Sequence, residues 1–83
     1  MDKYDFLIMD IIQSHKESHH QLIKLSTIEQ TFWKRIESDV ALSVGQAKIG
    51  ERITRLYLEG LIQNKGGYTL TKKGREELTC QLV

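Results

Sequence analysis

The run SVGQAKIGERITRLYLEGLIQNKGGYTL, residues 43–70, constrains this chain most, because a helical pattern in it stops at a glycine and turns at once into a strand pattern. Ile49, Ile53, Leu56 and Gly60 recur at i, i+4, i+7 and i+11. At about 100° per residue they form one narrow stripe, the buried face expected of a helix over about 44–59. Lys48, Arg52 and Arg55 repeat the same spacing around the opposite side, with Glu51 beside them, and are expected to share one exposed ridge. Gly60 can take the left-handed conformation that ends a helix, and Leu61 and Ile62 then begin an extended run. Asn64-Lys65-Gly66-Gly67 supplies a turn, and Tyr68-Thr69-Leu70-Thr71 alternates apolar and polar at period two, the return strand of a hairpin. Helix, stop and hairpin follow one another without a spacer.

Eighty-three residues make a single domain, 1–83, near the lower size at which a core holds without disulfides or metals. Local contacts, or a homodimer through the terminal helices, are the expected solutions. With 40% hydrophobic and 28% charged residues the composition is that of a folded globular chain, and the absence of proline leaves helices uninterrupted. Cys80 is the single cysteine, so no intramolecular disulfide can form; a reducing, cytoplasmic setting and an inert thiol are expected. The opening MDKYDFLIMD has the wrong charge for a signal or transit peptide, and its apolar run is too short to span a bilayer, so no membrane role is expected.

Charge is unevenly spread behind a formal net value of +1. Residues 44–75 hold seven Lys or Arg against two Glu, whereas residues 1–43 hold five basic against seven acidic groups and residues 76–83 only two acids. A local excess of this kind steers a polyanion to one face of a nearly neutral protein, although a solvated helix face is the plainer reading.

From the start of the chain, Asp2 can cap a first helix running to about Gln13, in which Tyr4, Leu7, Ile8, Ile11 and Ile12 share a broad core face. Phe6 and Met9 fall on the other side, where Asp5 and Asp10 suggest water. They are candidates for a dimer or partner contact, or for an extra packing element of the same chain. Ser14 to His20 reads as a polar connection. Its three histidines and Glu17 invite a metal site, but no second, distant ligand pair accompanies them, and no metal is expected. Thr27 is expected to start a second helix with Ile28, Phe32 and Ile36 in the core; Trp33, off that line, is a core or interface residue. Val40 and Leu42, in a long connection over 37–43, are expected to dock on the core. The last helix begins after Thr71 as cap, with Lys72, Lys73 and Arg75 at the end where the helix dipole disfavours cations. Leu78, Leu82 and Val83 form its apolar edge.

The run Arg55-Leu56-x-x-Glu59-Gly60-Leu61-Ile62, then Tyr68-Thr69-Leu70-Thr71-x-Lys73-Gly74-Arg75-x-x-Leu78, resembles the recognition helix, wing and following helix of the winged helix-turn-helix superfamily, nearest to small bacterial regulators of the MarR and PadR type. The likeness covers about 44–78. It implies an α+β, mostly helical fold: a three-helix core, a short β-hairpin wing and a C-terminal helix, with Gln21 to Leu25 as a small strand pairing with the wing. It also implies sequence-specific binding of double-stranded DNA by a small transcriptional regulator of bacterial or phage type. Gln46 and Lys48 would then reach base edges, Arg52 and Arg55 bases or phosphates, Lys65 the backbone or a minor groove, and Lys72 and Lys73 further phosphates. The 37–43 connection is longer than the tight turn of a minimal helix-turn-helix. The alternative is a winged helix used for protein contact. Glu51 within the basic ridge and an exposed Leu58 fit a protein partner, with Phe6, Met9, Trp33 and Leu82 as further candidate anchors.

No enzymatic constellation is visible. There is no phosphate-binding glycine loop, no serine in a nucleophile-elbow context and no metal-ligand pattern of useful spacing, and so short a chain has little room for a closed pocket beside its core. No catalytic residue and no cofactor are expected.

Overall fold

A computed structural model describes residues 3–36 and 48–82, the side chains of the last two apart. Within them the fold is α+β and mostly helical. Helices α1 (Lys3–His19), α2 (Leu25–Arg35) and α3 (Ile49–Leu58) precede strands β1 (Ile62–Asn64) and β2 (Tyr68–Leu70), and helix α4 (Lys72–Leu82) follows.

Helix α1 is the hub, packed against α2, α3, β2 and α4. That position decides which of its residues are buried. Ile8, Ile11 and Ile12 are in the core as their spacing predicts, but Met9 is fully buried as well, and so is Asp5. A helix with neighbours around more than half its circumference buries two adjoining stripes where a surface helix buries one. Met9 is therefore a core residue packed within its own chain, the second of the two alternatives for it and not a partner contact. Phe6 and Trp33 are partly buried and pack against the same core. Trp33 meets Phe32 edge to face at 5.5 Å between ring centres, a favoured aromatic geometry.

Helix α2 buries Ile28, Phe32 and Ile36 at the expected spacing, but it starts two residues earlier than Thr27. Lys24 occupies the cap position with no side-chain cap bond, so Ser26 and Thr27 lie inside the first turn. Ahead of it, the expected strand over 21–25 is reduced to one bridge. Ile23 N donates to Tyr68 O at 3.3 Å and Tyr68 N to Ile23 O at 2.7 Å.

The α3 to α4 region follows its local signals closely. Ile49, Ile53 and Leu56 are buried, and the helix ends in a paired cap: Gly60 N donates to Tyr57 O and Leu61 N to Leu56 O, both at 3.0 Å, with Gly60 at φ +79°. This arrangement needs a residue that tolerates positive φ, which glycine does without steric cost. In the hairpin Ile62 faces Leu70, Gln63 faces Thr69 and Asn64 faces Tyr68. Its turn is held by Gly67 N donating to Asn64 Oδ1 at 3.1 Å.

The first turn of α4 is stapled to the exit of α3. Thr71 Oγ1 accepts from Gly74 N at 3.0 Å as the cap, and itself donates to Gly60 O at 2.6 Å. Thr71 N donates to Leu61 O at 3.0 Å. A Cβ on Gly74 would stand 2.0 Å from the Leu61 carbonyl oxygen, so only glycine allows this approach. Leu78 then buries against the core, and α4 packs on α1.

The start of α3 departs from expectation. Lys48 is left-handed, φ +47° and ψ +49°, and the described helix begins at Ile49, so a continuous helix over 44–59 is interrupted at Lys48. Val40 and Leu42 lie outside the described residues.

Candidate functional site

The exposed surface of α3 has two flanks of different chemistry. On the flank turned to α1, Arg52 and Arg55 stand one turn apart and both reach the carboxylate of Asp5. Arg52 Nη1 donates to Oδ1 at 3.2 Å, and Arg55 Nη2 donates to Oδ2. The Asp5 side chain is fully buried, that of Arg52 is 14% exposed and that of Arg55 is 50% exposed. The Arg52 guanidinium also lies over the Tyr4 ring, 5.5 Å from its centre, within cation–π range. Burying a carboxylate is costly unless charged donors replace its water, and two guanidinium groups do so here. No buried side-chain nitrogen or oxygen among the described residues lacks a hydrogen-bond partner.

This geometry corrects the single exposed ridge expected of Lys48, Arg52 and Arg55. Arg52 stands four residues before Leu56, only about 40° further around the helix, so it borders the buried stripe and is drawn under α1. Its charge is used inside the fold. Arg55 is half in and half out. Lys48 is exposed, and with Glu51, Arg52 and Arg55 it lines a shallow depression of about 260 Å³.

The flank of α3 turned to the hairpin is uncharged. Tyr57 there is 52% exposed, and Thr54 turns its hydroxyl back to Gly50 O at 3.0 Å; Leu58, 78% exposed, lies further round the helix, in line with Glu51 seven residues before it. Ile53, Thr54 and Tyr57 share with Asn64 and Tyr68 of the hairpin an open groove of about 310 Å³. The hairpin therefore sits alongside this flank.

Among the other candidate contacts, Lys65 is exposed in the hairpin turn and Lys72 at the start of α4. Lys73 is exposed too, but its Nζ donates to Glu59 O at 3.1 Å, while Arg75 Nη1 donates to Leu70 O at 3.2 Å. Both cations sit at a helix end whose dipole disfavours them, and both meet backbone carbonyls of the preceding elements, Lys73 at the negative end of α3. Gln46 lies outside the described residues, as does the side chain of Leu82. His15 and His19 stack with ring centres 4.6 Å apart, but no three His, Cys, Asp or Glu side chains converge among the described residues. Cys80 is exposed. No helix among the described residues is long and apolar enough to cross a membrane.

Sequence reasoning missed Asp5. The signal that could have found it is its place at the head of the stripe Asp5, Ile8, Met9, Ile12, spaced i, i+3, i+4 and i+7. A carboxylate at the head of an apolar stripe calls for a cation from elsewhere in the chain. No family model matches this chain, and neither a curated protein nor a solved structure does.

Proposed function

We propose that the chain is a small winged-helix domain that binds double-stranded DNA, with α3 as the helix that enters the major groove and β1–β2 as a short wing, and that it acts as a transcriptional regulator. The observation that supports this best is the seating of the hairpin against α3. One side of the helix stays open along its described length, with a two-stranded ribbon directly beside it. Ten residues give a rod of about 15 Å, enough to lie across a groove about 12 Å wide. Lys48, Lys65 and Lys72 are exposed and Arg55 half exposed, and these cations supply the salt-dependent part of the affinity. Gln46, two residues before Lys48 in the chain, is the proposed reader of base edges.

The test is the affinity for a mixed-sequence duplex across a salt series, for the wild type and for Lys48→Ala/Lys65→Ala/Lys72→Ala. Losing three phosphate contacts should flatten the logarithmic salt slope by roughly 2–3 and weaken binding at least tenfold. A wild type that does not bind even at low salt would remove the reading.

One observation favours a second use, docking of a protein partner. Leu58 and Tyr57 stand exposed near the end of α3, 78% and 52%, and a phosphate backbone gives no reason to expose them. Under this reading Leu58→Glu abolishes partner binding, and the wild type has no affinity for duplex at low salt.

A further inference from the structure

We propose that Asp5 is a positioning residue for DNA contact: it holds one edge of the Arg55 guanidinium so that the opposite edge meets a backbone phosphate over the depression beside Lys48. The inference rests on the DNA-binding reading and names one of its phosphate contacts together with the group that orients it.

A guanidinium is a planar fork with five N–H donors. Arg55 gives Nη2 to Asp5 Oδ2, and its other donors make no further hydrogen bond among the described residues. The side chain is 50% exposed, whereas the carboxylate beneath it is fully buried. One end of the contact is therefore fixed in the protein interior and the other opens to solvent. The depression that Arg55 lines also carries Lys48, a second cation able to reach the same anion.

Pinning a long side chain before binding removes rotamer freedom that would otherwise be lost on binding, which makes each contact tighter. Arg52 makes the arrangement possible. It occupies Oδ1 from the buried side, so the carboxylate is already matched by one cation when Arg55 turns outward. A lysine cannot do the same work. Its single nitrogen is a point charge, and once turned to Asp5 it presents no second edge. Glu51 on the rim of the depression works against an anion and limits the contact.

The test measures duplex affinity at one moderate salt concentration for the wild type, Arg55→Ala, Arg55→Lys, Asp5→Asn and Asp5→Asn/Arg55→Ala, with folding of each checked by circular dichroism. Arg55→Ala should weaken binding about tenfold, the size of one charge-assisted contact. Arg55→Lys should fall nearly as far although it keeps the charge. Asp5→Asn should weaken binding severalfold in the wild-type background and add nothing once Arg55 is gone. A residue that is merely structural would cost the same in both backgrounds, and that outcome overturns the inference while leaving DNA binding in place. A gain of affinity in Asp5→Asn, the result of removing a negative charge, overturns it as well. If Asp5→Asn does not fold, Arg55→Lys decides: binding equal to wild type sinks the proposal. A wild type that does not bind duplex at low salt overturns both the inference and the reading beneath it.

Discussion

Helix α1 carries two aspartates that each pair with arginine, five residues apart, in opposite surroundings. Asp5 is fully buried between Arg52 and Arg55 of α3, whereas Asp10 meets Arg35 of α2 at 2.6 Å with both side chains nearly two-fifths exposed. The Asp10 pair exchanges water for a partner at little net gain, because solvent screens it and two long side chains must be held still. The Asp5 site has no such freedom. Asp5 or Arg52 without the other charges of the site would be a charge in the interior, so the site acts as a lock between the first and third helices. The same two residue types thus make a weak surface pair and a fixed joint, and burial decides which.

That contrast can be broken experimentally, starting with the largest effect. Asp5→Ala leaves the nearly buried Arg52 without its carboxylate and should cost about 3–5 kcal/mol, read from the urea midpoint at unchanged slope; a loss below 1 kcal/mol would put the two sites on the same footing. Arg52→Ala keeps Asp5 paired through Arg55 and should cost about 2 kcal/mol, the range for a charged hydrogen bond, in the same titration. Arg55→Ala, with a half-exposed partner removed, should cost about 1 kcal/mol of stability, and its thermal midpoint should fall between those of Arg52→Ala and wild type. Arg35→Ala should stay within about 0.5 kcal/mol. Repeating the series in about 1 M salt sharpens the result, since the Arg35 effect should vanish while the Asp5 effect persists.

How much of this was legible without coordinates follows the range of each interaction. The stop at Gly60, the hairpin and the start of α4 after Thr71 were readable because each is set by residues within a few positions of one another. The core stripes of α2 and α3 were readable for the same reason. The Asp5 lock was not, because its partners lie 47 and 50 residues away and nothing local marks them. For Met9 the periodicity leaves open a partner or further packing in the same chain, and only the neighbours on several sides of α1 decide for the second. At Lys48, helical spacing continues through a residue whose backbone is left-handed, which periodicity cannot register. The likeness to winged helices joined these local pieces into one layout, and the described elements are compatible with it.

The staple between α3 and α4 has a further consequence for how such a domain can change. The carbonyls of Glu59, Gly60 and Leu61 are all taken by Thr71 and Lys73, so the base of the hairpin is closed independently of its tip. Lengthening the tip between Lys65 and Gly66 disturbs the turn but leaves that closure intact, and the entropic cost grows only by about 0.6 kcal/mol for each doubling of loop length. The reach of the hairpin is thus a separable variable, open to adjustment by insertion while the helices that carry it keep their places.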